Sequence, residues 1–388
     1  MNKGCRLKAE LLSYGVRMSD EAIRRFSAPY LVKRRAYSNT DSEEFLAIDT
    51  PQEIIIMPEG IVVGVTLNHT SPLCIDWADG RFFLRSAEGT ADWLSDITFT
   101  LRPSFYGMEL TGGIRAESVL TYIFGHTLGI FVNTSCYFAT PKRHCRYCSI
   151  LANPARPKDN VRVLDADLVA EAVRLALMHD DGLVSSIFIS GGNFSDFDES
   201  FLRYADIAKK TMAAVQSVGR SIRVMLSVFP PKDLSLLSVL QGTGLDILLG
   251  TEAFGPEAYA RFCPGKSAVL TKERFEEALT CALAVLGRGH VYSIAIHGLE
   301  EDEALLSGVR HYAELGVCTI VNVLHKDPGT EINDMGVDIP APASILRVAG
   351  EVARIYHDYG FDSSVAYGGR SSFDAECSRL LPKDFQEV

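Results

Sequence analysis

The 388-residue sequence lacks an apolar run long enough to cross a bilayer, because stretches such as EIIIMPEGIVVGVTL are interrupted by proline and glycine. Its first residues, MNKGCRLKAELLSYG, contain no apolar core followed by small residues, so we expect no secretory signal. Basic residues are not in excess either: the net charge of −11 argues against a broad nucleic-acid-binding face. We therefore predict a cytoplasmic, globular protein with no membrane or nucleic-acid partner.

The first third of the chain has the pattern of a small β-rich region. After a helical opening at residues 7–26, short β-rich runs such as EIIIMP and DITFTLR are separated by Pro, Gly, Asn and Asp. Asp79 and Gly80, between two of these runs, are typical of a tight hairpin turn. We interpret residues 1–125 as a mainly β N-terminal region whose role the sequence does not reveal.

Strand-like and helix-like segments alternate over residues 126–345, and a further helix and a tail follow in residues 346–388. The strand-like runs lie at 130–133, 186–190, 223–228, 246–250, 291–296 and 319–324. Six such units in a row predict a parallel sheet with right-handed crossovers, either doubly wound or barrel-like. Chemistry is expected at the C-terminal ends of the strands in both cases.

In the tail, SSVAY predicts an extra strand or a lid, and Arg370 is either a surface arginine or a ligand for a substrate carboxylate or phosphate.

Three of the nine cysteines lie together in SCYFATPKRHCRYCSI: Cys136, Cys145 and Cys148, with the spacing C-x8-C-x2-C. Clustered cysteines in a reducing compartment are typical of metal or redox sites rather than of disulfides. A closed zinc site needs a fourth ligand, and His144 is a poor one because neighbouring residues rarely converge on one ion. A [4Fe–4S] cluster held by three cysteines leaves one iron open to another ligand. Zinc and three ordinary loop thiols are the alternatives.

The triplet resembles the radical SAM superfamily, in which three cysteines after the first strand hold a [4Fe–4S] cluster and S-adenosylmethionine chelates the fourth iron. Tyr147 occupies the aromatic place that packs on the adenine in that family. The gap of eight residues between Cys136 and Cys145 departs from the usual three, so the subfamily is not identified. IFISGGN is similar to the family's GGE motif, which implies that the backbone of Gly191, Gly192 and Asn193 binds the methionyl amino group.

Later strand ends extend the resemblance over about residues 130–345. Glu252 stands where the family often places a polar residue that faces the ligand. Ile296 and Gly298, in IAIHGLEE, are similar to the motif that packs on the adenine, and the DPGT sequence partly matches a P-x-G-T ending. The resemblance implies a partial or full parallel (β/α) barrel that follows the mainly β N-terminal region.

The family's chemistry would be reductive cleavage of S-adenosylmethionine to a 5′-deoxyadenosyl radical, which takes a hydrogen atom from the substrate. A small-molecule biosynthetic substrate is our first hypothesis. Modification of a tRNA or a peptide, and a non-catalytic zinc or iron–sulfur protein, are the alternatives. The reaction outcome and the catalytic residues are not identified.

The long first gap is basic, with Lys142, Arg143 and His144 before Cys145 and Arg146 after it. This pattern predicts either a docking patch for an acidic one-electron donor, such as a flavodoxin or ferredoxin, or a solvated loop. Among the other cysteines, Cys263 and Cys377 are those that could line the site, and Cys281 and Cys318 are expected in the core.

Overall fold

Two β-sheets organise the chain in this computed structural model, which describes residues 2–27, 29–32, 49–87, 93–150, 163–361 and 369–379. The first sheet has six strands in the order β1-β4-β5-β6-β2-β3, and the second has seven in the order β13-β12-β11-β10-β9-β8-β7. The strands of the first sheet are β1 (Arg17–Met18), β2 (Glu53–Ile56), β3 (Ile61–Gly64), β4 (Leu73–Ala78), β5 (Arg81–Ser86) and β6 (Trp93–Phe99). The strands of the second are β7 (Leu120–Ile123), β8 (Thr127–Phe131), β9 (Ser186–Ser190), β10 (Arg223–Ser227), β11 (Asp246–Glu252), β12 (Val291–His297) and β13 (Cys318–Val323).

Ten α-helices in the described part of the chain accompany these strands. They are α1 (Lys3–Tyr14), α2 (Asp20–Arg25), α3 (Ala166–Met178), α4 (Phe197–Ser217), α5 (Pro256–Phe262), α6 (Pro264–Ser267), α7 (Lys272–Leu286), α8 (Asp302–Leu315), α9 (Pro342–Asp358) and α10 (Asp374–Arg379). None of the described helices combines the length and apolar character that a bilayer crossing requires.

The first sheet has the β-rich pattern that the sequence predicts, with antiparallel pairing throughout except between β1 and β4. Asp79 and Gly80 form the turn between β4 and β5, and their φ angles of 51° and 80° are those of a primed hairpin turn. The single helical opening was wrong: α1 and α2 are separate helices with β1 between them. A second helix begins at Asp20 because the Ser19 hydroxyl accepts the Ala22 N–H and caps α2.

The second sheet is a partial (β/α) barrel, which confirms the predicted fold class. Strands β8 to β13 are all parallel and neighbour one another in chain order. A doubly wound sheet would reverse its strand order at a switch point. Because every crossover here moves in the same direction, crossovers of the usual right-handed sense place the connecting helices on one face. The C-terminal ends of six strands therefore lie along one edge.

Both predicted boundaries, at residues 125 and 345, fall next to or within elements of the second sheet and its helices. Residue 125 lies in the turn between β7 and β8, which pair antiparallel in the second sheet. β7 itself, LTYI, resembles the earlier β-rich runs, and its sequence does not indicate which sheet it joins. Helix α9 begins at Pro342, a favoured first position, so the division at 345 falls within a helix. The segment between β10 and β11 contains a 3₁₀ helix, Leu234–Leu240, whose leucines at intervals of three match three residues per turn.

The C-terminal segment joins the two sheets. Gly64 of β3 donates its N–H to the Arg370 carbonyl at 3.0 Å, and Val323 of β13 donates to the Ser371 carbonyl at 2.6 Å. We call residues 370–372, together with these two edge strands, the seam. The predicted strand SSVAY lies outside the described residues.

Beyond the seam, α10 packs on α9, where the Cys377 thiol donates to the Ala349 carbonyl. Cys377 therefore belongs to the helix packing and does not line the barrel mouth. Cys318 is buried as predicted, whereas Cys281, which the sequence also placed in the core, is only half-buried on α7.

Candidate active site

The first cysteine is held against the end of β9 by two glycines. Gly191 has φ +149°, and a Cβ added there would lie 2.6 Å from the Tyr204 hydroxyl oxygen. A Cβ on Gly192 would lie 1.7 Å from the Ser135 carbonyl oxygen and 2.7 Å from the Cys136 Cβ. Both glycines are required where two strand-end loops approach so closely.

Asn193 completes this contact through its backbone. Its N–H donates to the Cys136 sulfur at 3.4 Å, and its carbonyl accepts the Tyr137 N–H at 2.7 Å. The GGN sequence thus fixes the position of Cys136, which is a structural role that the sequence did not reveal. Hydrogen bonds from amides to cysteine sulfur are typical of iron–sulfur sites.

Replacing Gly192 by alanine is expected to lower the free energy of unfolding by about 2–3 kcal/mol, because the backbone it would meet cannot move without displacing Cys136. Gly129→Ala in β8 is the matched control, since its added Cβ would find its nearest neighbour at 3.4 Å, an ordinary contact. Urea unfolding of both variants measures the difference. Equal losses in the two would contradict this assignment.

Cys145 and Cys148 lie in an apolar cluster at the ends of β11 and β12. The cluster contains Ile296 and Cys263, and Tyr147 packs against it. Gly298 follows β12 with φ +108°, where its neighbours are Leu324 and Pro340. The structure therefore brings Cys145, Tyr147 and Cys148 of the cysteine loop together with Ile296 of β12, whereas Cys136 packs against the main barrel core.

Cys263 is a fourth thiol in this region. It lies within hydrogen-bonding reach of Cys145, and its sulfur is 3.4 Å from the Tyr147 hydroxyl. From the sequence, Cys263 was predicted only as a residue that could line the site, because contacts across more than a hundred residues carry no local signal. Tyr147 therefore contacts a thiol here.

Burial holds these groups in their neutral forms. The contact with Cys263, together with burial, raises the pKa of the Cys145 thiol well above its usual range. Burial first, and then the neighbouring Cys145 and Cys136, raise the pKa of Cys148 to about 12. The thiolate forms of Cys145 and Cys148 are therefore unfavourable here unless a positively charged group binds beside them.

A buried ion pair adjoins the thiols. Lys266 donates to the Glu252 carboxylate at 2.6 Å, and both side chains are mostly buried. Although burial opposes it, Glu252 raises the pKa of Lys266, which therefore stays charged beside Cys145. Glu252 itself has φ +66° at a break in the strand register, a conformation that non-glycine residues adopt rarely and often at functional sites.

Lys266 was not found by sequence reasoning, although it follows Cys263 closely in the CPGK sequence. A second lysine, Lys272, lies nearby and donates to the Thr251 hydroxyl at 2.8 Å. Burial lowers the pKa of Lys272 to about 8. The end of β11 thus carries two buried amines within a region of thiols.

Comparisons with known proteins give distant matches. No protein-family profile matches the chain. The chain is 24% identical to bacteriochlorophyllide c C-7(1)-hydroxylase of Chlorobaculum limnaeum. The match extends over 285 residues and covers 68% of this chain and 69% of the relative. The chain resembles the radical SAM superfamily.

Similar solved structures include two enzymes. One is a radical SAM methyltransferase from Sphaerobacter thermophilus, with a TM-score of 0.44 and 13% identity, in which 75% of each chain is covered. The other is methylornithine synthase, with a TM-score of 0.42 and 13% identity over 66% of this chain and 78% of that one.

The residues present fit the radical SAM cofactors. Cys136 and Cys148 accept backbone N–H groups, from Asn193 and Ile150 respectively, and Lys266 adds a positive charge near Cys145 and Cys148. In the part of the chain that the structure describes, no three His, Cys, Asp or Glu side chains converge on a single-ion site.

The basic loop is less uniform than the sequence suggested. Lys142 and Arg143 are exposed, and the Arg143 guanidinium lies 4.5 Å from the Tyr137 ring centre. Arg146 pairs with Glu331, whereas His144 is buried and burial lowers its pKa. Of the four residues in this basic stretch, Lys142 and Arg143 are therefore the two that face solvent.

The segment after β13 closes on the cysteine loop. Ile332 donates its N–H to the Arg146 carbonyl at 2.9 Å, and Thr330, of the DPGT sequence, donates its hydroxyl to the Asp327 carbonyl at 2.7 Å. The radical SAM resemblance placed Pro328, Gly329 and Thr330 at a strand end, and the structure places them beside the loop.

Proposed function

We propose that this chain is a radical SAM enzyme that removes a hydrogen atom from a carbon of a small-molecule biosynthetic substrate. The observation that carries the proposal is the position of Cys136, Cys145 and Cys148 at the C-terminal edge of a parallel barrel, with amide donors on two of the sulfurs. Active sites of (β/α) barrels lie at this edge.

The curated relative supports the reaction class. Its name describes hydroxylation at a ring substituent of a bacteriochlorophyllide, a reaction that begins with a C–H bond. A bacteriochlorophyllide is therefore the first class of substrate to test. The acidic net charge of −11 also favours a small molecule over a tRNA.

The three cysteines would hold a [4Fe–4S] cluster, and S-adenosylmethionine bound at its open iron would supply a 5′-deoxyadenosyl radical. The backbone of Gly191, Gly192 and Asn193 would orient the methionyl group. Tyr147 would lie against the adenine.

The apolar cluster around Cys145 excludes water. Exclusion matters because a primary alkyl radical attacks nearly any C–H bond that it meets.

Glu252, Ile296 and Gly298 would form the far wall of the cofactor site. Ile296 is apolar and only 8% exposed, which suits contact with a flat ring. The ion pair with Lys266 holds the Glu252 carboxylate in one position and limits its freedom to contact a ribose. We therefore propose that Glu252 orients Lys266 within the site.

Anaerobic reconstitution with iron and sulfide, followed by dithionite and S-adenosylmethionine, tests the proposal. Wild-type protein is expected to form 5′-deoxyadenosine and methionine, and Cys148→Ala is expected to form none. Cys281→Ala, a half-buried thiol on α7, is the matched control and should behave as the wild type does.

Two outcomes would overturn the proposal. Absence of 5′-deoxyadenosine from iron-loaded wild-type protein is one, and equal formation by Cys148→Ala is the other. Zinc without iron after anaerobic purification would favour the non-catalytic metal protein. Turnover with a tRNA or a peptide, but with no small molecule, would favour macromolecule modification.

A one-electron donor is part of the proposal. Lys142 and Arg143 are the exposed cations nearest to the cysteines along the chain, and an acidic flavodoxin or ferredoxin would complement them. Burial of His144 and pairing of Arg146 leave the patch small, so the association is expected to be weak and sensitive to salt.

A further inference from the structure

Two segments beside the candidate site run next to each other in opposite directions. One is the cysteine loop, and the other runs from the end of α5 through the CPGK sequence. Arg146 donates its N–H to the Phe262 carbonyl at 2.9 Å, and Gly265 donates its N–H to the Arg143 carbonyl at 3.2 Å. Each step forward in one segment is a step back in the other, so both hydrogen bonds follow a single antiparallel register.

This register places Cys145 opposite Cys263. Directly opposed residues of an antiparallel pair have Cα atoms about 4.5–5.5 Å apart, so their side chains meet. The two sulfurs lie within hydrogen-bonding reach, and 8% and 0% of the two residues are exposed. Gly265 permits the approach, because a Cβ added there would lie 2.4 Å from the Arg143 carbonyl oxygen. The contact between the two thiols is therefore fixed by the backbone on both sides.

The second contact of Cys263 is compatible with the first. The Tyr147 hydroxyl oxygen lies 3.4 Å from the Cys263 sulfur. A thiol sulfur can accept one hydrogen bond while its own S–H donates another. With the phenol donating to the Cys263 sulfur, the Cys263 S–H remains directed at Cys145. The three side chains thus form a chain of donors that ends on a predicted iron ligand.

The other two predicted ligands receive backbone donors. The Asn193 N–H donates to the Cys136 sulfur at 3.4 Å, and the Ile150 N–H donates to the Cys148 sulfur. For Cys145 the corresponding donor is a side chain, the thiol of Cys263. A side-chain donor can be removed by substitution, which a backbone N–H does not allow.

We propose that Cys263 donates its S–H to the Cys145 sulfur and thereby raises the reduction potential of the cluster that the three cysteines would hold. The inference rests on the proposed function, because it requires the cluster. An iron ligand is a thiolate, which only accepts hydrogen bonds, so the proton between the two sulfurs belongs to Cys263. A donor to a ligand sulfur favours the reduced cluster, which carries one more negative charge.

The environment gives this donor a purpose. Cys145 lies in an apolar cluster, and apolar surroundings disfavour the negative charge that reduction adds. The Cys263 S–H opposes that effect at the ligand where it is strongest. Cys263 acts through Cys145 and is therefore a positioning residue, not a ligand.

Redox titration of the reconstituted cluster, followed by electron paramagnetic resonance, tests the inference. Cys263→Ala is expected to shift the one-electron reduction equilibrium roughly two- to tenfold toward the oxidised form, where tenfold is about 59 mV. Cys263→Ser keeps a donor of similar size and should stay close to the wild-type potential. Cys318→Ala is the matched control, because it removes another buried thiol, on β13.

Electron–nuclear double resonance of the reduced cluster, in water and in deuterated water, gives a second readout. The wild type and Cys263→Ser should show an exchangeable proton coupled to the cluster that Cys263→Ala lacks. A change in packing alone would move the potential without removing this proton.

Three results overturn the inference. They are an unchanged potential in Cys263→Ala, equal changes in the alanine and serine variants, and loss of iron from Cys263→Ala, which would make Cys263 a ligand. Failure of the wild type to assemble a cluster overturns the proposed function as well. That failure shows in the iron analysis, whereas failure of this inference alone shows in the potential of an assembled cluster, so the two are distinguishable.

Discussion

Alanine in place of Cys136, Cys145 or Cys148 is expected to remove nearly all of the iron that the protein retains after anaerobic reconstitution. Three thiolates are the minimum set for the proposed cluster, and loss of one leaves a second iron without a protein ligand. Iron and sulfide analysis, with the visible absorption of the cluster, measures the effect. Cys281→Ala should retain the wild-type iron content.

Variants of Cys263 test whether this fourth thiol can replace one of the three ligands. It lies within hydrogen-bonding reach of Cys145, so it is the thiol best placed to replace that ligand. We therefore expect the double variant Cys145→Ala/Cys263→Ala to bind no more iron than Cys148→Ala. Cys263→Ala alone should retain iron, because the other three thiols are intact. Iron loss in that single variant would show that Cys263 is a ligand and would contradict the three-cysteine site.

Lys8→Met is expected to destabilise the protein by about 3–5 kcal/mol, because it leaves the Glu376 carboxylate buried without a counter-charge. The two groups are 2.9 Å apart, and 1% and 3% of their side chains are exposed. Lys8 also donates to the Gly369 carbonyl at 3.0 Å and lies over the Phe373 ring. Urea unfolding of the two proteins measures the loss.

The matched control lies on the same helix. Arg6 pairs with Glu10 at 3.0 Å, but 61% of its side chain is exposed, so Arg6→Gln should cost less than about 0.5 kcal/mol. Lys8→Met/Glu376→Gln should recover part of the stability, since no uncompensated charge remains. Equal losses in Lys8→Met and Arg6→Gln would show that the buried pair does not matter.

The sequence predicted the barrel well where local pattern determines structure. Residues 186–190 form β9 with the predicted bounds, because a short apolar, β-branched run ends at a glycine pair. The three cysteines and the GGN sequence were found because their types and spacing are themselves the signal. The fold class followed from six strand–helix units in order.

Features that depend on tertiary contact were not predictable in the same way. Nothing in LTYI distinguishes a strand of the second sheet from one of the first. Lys266 has an ordinary sequence context, and only the fold brings its amine to Glu252 beside Cys145. Likewise, the sequence suggested Cys377 near the mouth, but α10 carries it to the Ala349 carbonyl on α9. Such positions are set by packing over long separations, which periodicity does not record.

The pairing of Lys8 with Glu376 has a consequence for biosynthesis. Lys8 and Glu376 are 368 positions apart in the sequence, so α1 leaves the ribosome long before Glu376 is translated. Until then Lys8 lacks the Glu376 carboxylate, and the edges of β3 and β13 lack residues 370–372 between them. The barrel strands can pair as they emerge, but the last step of assembly must wait for residues 369–379. Translation that stops before this segment would release a chain without the seam, a form that quality-control proteases can recognise.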